Sequence, residues 1–329
     1  MKNRLSAAFA AVLTVLPLLT GCGSAPHSTA APETSAVTAA DTTEPPAPVT
    51  FPVTDPFQYE AGTPEISDSR DGVKNIFFYR DGIRIHGQLH LPEGEGPFPT
   101  VVLCSGMTAS FTYYTDEAEA FAENGYAALV FDFIGAVQNS IGGSGSGGSL
   151  TEYSVLTEAK DLNVILDTLP ALPKVDPEKV FLFGHSFGGL VATYVGCRRP
   201  DDIRGMMLVE PSYQFPDQLR QTVQKQYGGD LSQIPETVTD IGSVVGRIFV
   251  TDLYDFDIFR WMPDCKKDVL IILGTRNGLG SGFREYFDRA RTAFPSLEIR
   301  DIEGADHYFQ GEYGKQMTEQ CLLFLKSHA

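Results

Sequence analysis

Val180-Phe181-Leu182-Phe183-Gly184-His185-Ser186-Phe187-Gly188-Gly189-Leu190 decides the fold: an apolar strand-like run, a turn built around a serine, then a helical pattern continuing to Cys197. Gly184-His185-Ser186-Phe187-Gly188 matches G-x-S-x-G, and its place between a strand and a helix gives the match its weight. A strand and a helix that meet this closely need small residues two positions either side of the serine, and Gly184, Gly188 and Gly189 provide them. Such a turn lifts the Ser186 hydroxyl out of the sheet edge, with a helix N-terminus behind it that favours developing negative charge. Ser186 is therefore the candidate nucleophile.

Outward from this turn, short apolar runs recur at residues 100–104, 127–133, 206–209 and 269–273, with a last strand near 297–302. Continuous runs of this kind suit parallel strands covered on both faces. An opening pair at 74–80 and 83–91 is joined by Asp81-Gly82, a hairpin signal. Between the later strands, Val155, Ala159, Leu162, Leu166 and Leu169 recur at helical spacing, as do Met317, Cys321 and Phe324 near the end. The expected class is α/β, a mixed, mostly parallel sheet flanked by helices. Residues 212–267 break the alternation with no clear strand and eight aromatic side chains, from Tyr213 to Trp261. They read as a cap insertion whose aromatics mostly form their own core, with two or three facing a pocket.

The N-terminus has its own logic. Lys2 and Arg4 precede an apolar run at 5–19, too short for a spanning helix, and Leu19-Thr20-Gly21-Cys22 follows. The last four residues resemble a bacterial lipobox, which implies cleavage after residue 21 and lipidation of Cys22. The expected place is then extracytoplasmic, held to the cell membrane by the lipid alone. A permanent anchor helix is the alternative, and it also puts the domain outside the cytoplasm. Residues 22–56, rich in Ala, Thr, Pro and Ser, read as a spacer too poor in apolar groups to offset the entropy of ordering. The folded domain is expected over 57–329.

The chain has 25 Lys and Arg against 42 Asp and Glu, a net charge of −17 that becomes −19 once Lys2 and Arg4 are removed. Nucleic acid is excluded as a partner by that charge, as is attachment to anionic lipid through a basic face. Cys104, Cys197, Cys265 and Cys321 show no CxxC spacing or clustered histidine, so no zinc site is expected. Export would permit disulfides, but spacing cannot pair them.

A serine hydroxyl needs a base. His307, in Gly304-Ala305-Asp306-His307-Tyr308, lies between the last strand and the final helix and is the candidate. His185 adjoins the nucleophile on a sharp turn where neighbouring side chains diverge, so it reads as a support of the turn. Two backbone donors must face the oxyanion of an acyl-transfer intermediate. Phe187 N–H follows the nucleophile, and Met107 N–H, in Ser105-Gly106-Met107 after the strand at 100–104, is the second candidate.

From Asp81 onward these motifs resemble bacterial α/β-hydrolases of the cinnamoyl or feruloyl esterase type and their serine-aminopeptidase-like relatives. Phe131-Asp132-Phe133, Ser154-Val155-Leu156-Thr157-Glu158, the Gly-His-Ser-Phe-Gly-Gly turn, a cap entering after the next strand and Ile302-Glu303-Gly304-Ala305-Asp306-His307 carry the likeness. It implies an α/β-hydrolase fold and cofactor-free hydrolysis of a small-molecule carboxylic ester, with a medium-sized or aromatic acyl group favoured over long-chain lipid. Two departures stand out: Ser105-Gly106 replaces the usual His-Gly, and the family's acid position after the strand at 269–273 is Asn277, which cannot bear the charge. Glu210, ending the strand at 206–209, is a second place from which the fold can supply a carboxylate to His307. A rim glutamate is the other reading of Glu210, Asp306 is too close to His307 in sequence, and deamidation at Asn277-Gly278 would also create an acid.

Gly143, Gly145 and Gly148 satisfy G-x-G-x-x-G, but in a low-complexity run outside the first βα turn, so a flexible loop beside the active site is expected in place of a dinucleotide site. Three functions stay open at this point: an esterase, a peptidase using the same residues, and a binding lipoprotein that has lost its acid.

Overall fold

The computed structural model describes residues 51, 54–136, 145–239, 243–276 and 278–328. Residues 1–50, which hold the expected signal segment, Cys22 and most of the expected spacer, lie outside the described residues, as does Asn277. Strands β1 (Glu65–Arg70), β2 (Val73–Arg80) and β3 (Ile83–His90) form an antiparallel meander. Asp81 and Gly82 turn between the last two, both at positive φ. The chain then alternates through β4 (Phe98–Cys104), α1 (Thr115–Glu123), β5 (Ala127–Phe131), α2 (Val155–Thr168), β6 (Val175–His185), α3 (Ser186–Arg198) and β7 (Gly205–Val209). An insertion follows, with α4 (Phe215–Tyr227), the small hairpin of β8 (Thr237–Val238) and β9 (Val245–Gly246), and α5 (Arg247–Tyr254). The core resumes as β10 (Asp268–Gly274), α6 (Leu279–Gly282), α7 (Arg284–Ala293), β11 (Leu297–Ile302) and α8 (Glu312–His328).

Nine of these strands make one sheet in the order β1-β2-β3-β5-β4-β6-β7-β10-β11, parallel from β5 to β11. The apolar runs are continuous because both faces are covered, yet alternate residues serve different cores. Val101, Leu103, Phe181 and Phe183 pack in the layer with α1 and α8. Val102, Cys104 and Leu182 pack in the layer with α2 and α3. A one-residue slip would exchange the two sets, so side-chain volume pins the register. Helix α2 starts where a reciprocal capping box forms: Thr157 N–H donates to Ser154 Oγ (3.1 Å) and Ser154 N–H to Thr157 Oγ1 (2.8 Å).

Strand β1 was not expected. Its residues are all exposed and mostly polar, so it carries no alternating apolar signal, and its charges protect an open sheet edge. The cap contains the short β8–β9 hairpin in place of a strand-free stretch. Packing also begins earlier than residue 57: buried Asn163 donates through Nδ2 to Pro56 O (2.8 Å), and Arg247 lies over the Phe51 ring at 5.3 Å. All four cysteines after Cys22 are buried free thiols.

One carboxyl sits awkwardly in this packing. Glu117 of α1 stands beside Gly314 of α8, its Oε2 is closed off from solvent without a hydrogen-bond partner, and burial pushes its pKa up to about 7. A carboxyl that holds its proton more tightly when folded stabilises the chain below its unfolded pKa of 4.5 and loses that contribution as pH rises through about 7. Allowing for its partial exposure, Glu117→Gln should raise stability by about 1–2 kcal/mol at pH 8 and by much less at pH 4. Urea unfolding at the two pH values checks this, and an equal gain at both would contradict it.

Candidate active site

Strand β6 ends at His185 and α3 begins at Ser186, whose φ of +56° is in the left-handed region that few non-glycine residues occupy. The close approach expected of the turn is present. A Cβ on Gly188 would lie 2.3 Å from Ser105 O and 2.4 Å from Cys104 O, so only glycine fits there.

Three side chains from three separate loops meet at this turn. Ser186 Oγ lies 3.0 Å from His307 Nε2, and His307 Nδ1 lies 2.9 Å from Glu210 Oε2. A carboxylate only accepts, so Nδ1 carries the proton and Nε2 is left to accept from the Ser186 hydroxyl. Glu210 is fully buried at the end of β7, at a φ of +45°. Its Oε1 accepts from Gly274 N–H (2.8 Å) and Gly280 N–H (3.1 Å), and Oε2 accepts from Leu279 N–H as well as His307. Those four donors match the acceptor capacity of an ionised carboxylate, which answers the cost of burying its charge.

Of the two places from which an acid could reach His307, the structure therefore brings Glu210 to the histidine. Asn277 lies outside the described residues, but Gly278 beside it packs against the Glu210 carboxylate. The backbone after β10 thus supplies hydrogen-bond donors to Glu210. Asp306 points away, pairing with Arg276 at 3.5 Å and accepting from Tyr308 N–H at 3.1 Å.

His185 has a separate place. Its Nε2 lies 2.8 Å from His307 O, a carbonyl that can only accept, so Nε2 donates and Nδ1 accepts from the Tyr114 hydroxyl at 2.6 Å. Burial, with a smaller contribution from nearby His307, pushes its pKa down to about 3 and keeps it neutral. His185 thereby ties the backbone that carries His307 to the turn that carries Ser186.

Above Ser186 is a pocket of about 190 Å³, walled by Gly106, Met107, Phe187, Ser212, Phe215 and Phe283 among others. Both residues expected to supply oxyanion donors, Met107 and Phe187, border it. Ser212 escaped notice in the sequence: its Oγ is 3.3 Å from Ser186 Oγ and its N–H donates to Ser186 O at 3.0 Å. No motif marks it, since it is simply the first residue of the cap. Tyr114 was missed for a similar reason, as its contact with His185 spans 71 residues. Of the eight cap aromatics, Phe215 alone lines this pocket, while Tyr213, Phe256 and Phe259 join the core shared with the main sheet in place of a core of the insertion's own, Phe256 against Tyr194 of α3 and Tyr213 against Phe287 of α7.

The flexible loop expected over the glycine run lies partly outside the described residues, at 142–144. Gly145–Gly148 border no part of the pocket and are fastened to β3, with Arg84 Nε donating to Gly145 O (2.7 Å) and Gly147 N–H to Arg84 O (2.8 Å). Gly143 lies outside the described residues. Among the described residues, no group of three or more His, Cys, Asp or Glu side chains is placed to hold a metal.

Comparison with known proteins agrees with this architecture. Residues 99–319 match the family model for the alpha/beta hydrolase fold. A stretch of 112 residues is 41% identical to esterase FrsA of Escherichia coli O157:H7, covering 34% of this chain and 25% of that protein. The match thus spans about a quarter of the length of that curated relative. Among solved structures, the chain is similar to Est1E from Butyrivibrio proteoclasticus with ferulic acid bound, at a TM-score of 0.64 and 19% identity, over 75% of this chain and 96% of the other. It is also similar to a monoacylglycerol lipase from Paleococcus ferrophilus, at a TM-score of 0.53 and 21% identity, over 75% and 99% of the two chains. At these identities the structural likeness speaks for the fold.

Proposed function

This chain belongs to the alpha/beta hydrolase family, and we propose that it is a serine hydrolase that cleaves carboxylic esters through an acyl-enzyme on Ser186. The observation that carries the reading is the unbroken hydrogen-bonded run from Ser186 through His307 to Glu210 at the floor of an apolar pocket. As Ser186 Oγ attacks the ester carbonyl carbon, its proton passes to His307 Nε2. The oxyanion so formed is held by the N–H groups of Phe187 and Met107, a type of contact worth about 10²- to 10³-fold in rate per donor. His307 then returns the proton to the departing alkoxide oxygen as the C–O bond breaks. Water repeats the sequence on the acyl-enzyme and frees the acid. Through both halves, Glu210 keeps the histidine in one tautomer and stabilises its cationic form.

Ester hydrolysis, as distinct from peptide hydrolysis, draws support from the esterase name of the curated relative that is 41% identical over 112 residues. The test compares p-nitrophenyl acetate and butyrate with aminoacyl p-nitroanilides on the purified protein. Ester kcat/KM is expected to exceed anilide kcat/KM by at least about 10³-fold, a loss of about 4 kcal/mol of transition-state stabilisation for the amide. Comparable rates on the anilides would support a peptidase, and turnover of neither would return the chain to the binding-protein reading.

A further inference from the structure

A second cavity, of about 310 Å³, lies within the cap between α4, α5 and the β8–β9 hairpin. Its deep wall is apolar, with Leu219, Val223, Ile234, Val245, Phe249 and Val250 all buried. Its mouth carries polar side chains, including Gln221 and Lys225. Phe215 and Gln218, at the start of α4, line this cavity and also the pocket above Ser186. Three mutually packed rings, Phe187, Phe215 and Phe249, stand between the two spaces. Phe215 meets Phe187, on the catalytic side, edge-on at 5.8 Å, and meets Phe249, on the cap side, at 5.8 Å and 74°. Phe187 and Phe249 also stack on each other at 5.7 Å and 24°, and Phe215 is the member of this cluster that lines both spaces.

Size gives this continuity a purpose. Pockets that bury a drug-sized ligand run to roughly 300–1,000 Å³. At about 190 Å³ the catalytic pocket alone falls short, and the cap cavity extends it into that range. An apolar compartment separated from a reactive serine by one cluster of aromatic rings, with a polar outer mouth, fits a substrate with a reactive head and an apolar tail.

We propose that the cap cavity is the distal half of the acyl site, taking the apolar end of a medium-length acyl chain whose ester carbon sits at Ser186, with Phe215 as the divider the chain passes. The inference rests on the ester-hydrolase reading and adds the part of the substrate that the catalytic pocket cannot hold. An acyl group stays attached to Ser186 through both halves of the reaction, so contacts to its tail assist acylation and deacylation alike. Each buried methylene is worth about fourfold in binding.

The test measures kcat/KM for p-nitrophenyl esters from acetate to dodecanoate on wild type, Thr222→Trp and Gln221→Trp, and for acetate esters of alcohols of increasing length. Thr222 and Gln221 line the cap cavity and border no part of the catalytic pocket, so a tryptophan at either should fill the cavity and leave acetate turnover within about twofold. In wild type, kcat/KM should rise at least about 20-fold from acetate to octanoate. The tryptophan variants should flatten that rise to within about threefold. A flat acyl profile with acetate turnover intact would overturn the inference, as would an unchanged rise in both variants or a dependence on alcohol length alone. Failure of wild type to hydrolyse acetate would count against the hydrolase reading instead. Calorimetric titration with octanoic acid then reads the cavity directly: binding weakened about tenfold in Thr222→Trp supports it, and equal binding overturns it.

Discussion

Ser186→Ala is expected to lower turnover of p-nitrophenyl acetate by about 10⁵- to 10⁶-fold with the fold intact, because the hydroxyl hydrogen-bonded to His307 Nε2 is that of Ser186. His307→Ala should cost nearly as much, and the double variant little more than either alone, since a nucleophile without its base and a base without its nucleophile fail at the same step. Alanine at 186 loses the hydroxyl and keeps a Cβ, so it should sit in the strained turn no worse than serine does. Unfolding midpoints of variant and wild type should therefore lie close together. Turnover above about 1% of wild type in a preparation free of contaminating esterase would mean that the chemistry runs through another residue.

Glu210→Gln is expected to lower kcat by about 10⁴-fold, the scale seen when a buried triad acid becomes an amide in the trypsin-like template. The cause lies in hydrogen-bond polarity. An amide facing His307 can turn an N–H toward Nδ1, which moves the imidazole proton to Nε2 and leaves nothing there to accept from Ser186. The same change disturbs the start of α6, where the N–H groups of Leu279 and Gly280 converge on Glu210. Melting temperature must be followed alongside rate, and a loss of rate at 15 °C in a fully folded variant isolates the chemical part. Asn277→Ala should change kcat by less than about threefold, and Glu210→Gln with Asn277→Asp should recover activity by restoring a carboxylate after β10. Near wild-type turnover in Glu210→Gln would remove Glu210 from the mechanism, and intact-mass analysis of position 277 would then decide whether deamidation supplies an acid.

The two carboxylate positions show what the sequence could and could not disclose. Strand ends could be read from apolar runs such as 206–209 and 269–273, and an α/β fold of this kind needs an acid at one of them. Asn277 at one end directed attention to Glu210 at the other. Nothing local, however, revealed that the N–H groups of Gly274, Leu279 and Gly280 would converge on it, because such donors belong to every residue and only the path of the chain aims them. His307 and the turn at Ser186 were legible because each sits beside punctuating glycines between a strand and a helix.

Elsewhere, long-range geometry withheld the answer. The link from His185 to both Tyr114 and the His307 carbonyl joins three loops that share no spacing rule. Strand β1 has no apolar face to announce it, and its pairing is set by the neighbouring β2. Low complexity suggested a flexible loop at the glycine run; in its described part, Gly145 packs so tightly on His86 that a Cβ there would lie 2.6 Å from the ring. Small residues at that point serve close packing. The cap's aromatic content could be counted, while its division between a core and two cavities depends on which way each ring faces.

The central claim is that Ser186 is an activated nucleophile, and covalent capture tests it most directly. A fluorophosphonate applied to the folded protein should form a single adduct, which peptide mass spectrometry should place on Ser186, with no adduct in Ser186→Ala and a greatly slowed reaction in His307→Ala. A folded wild-type protein that takes up no label, or one labelled on the adjacent Ser212, would contradict the account.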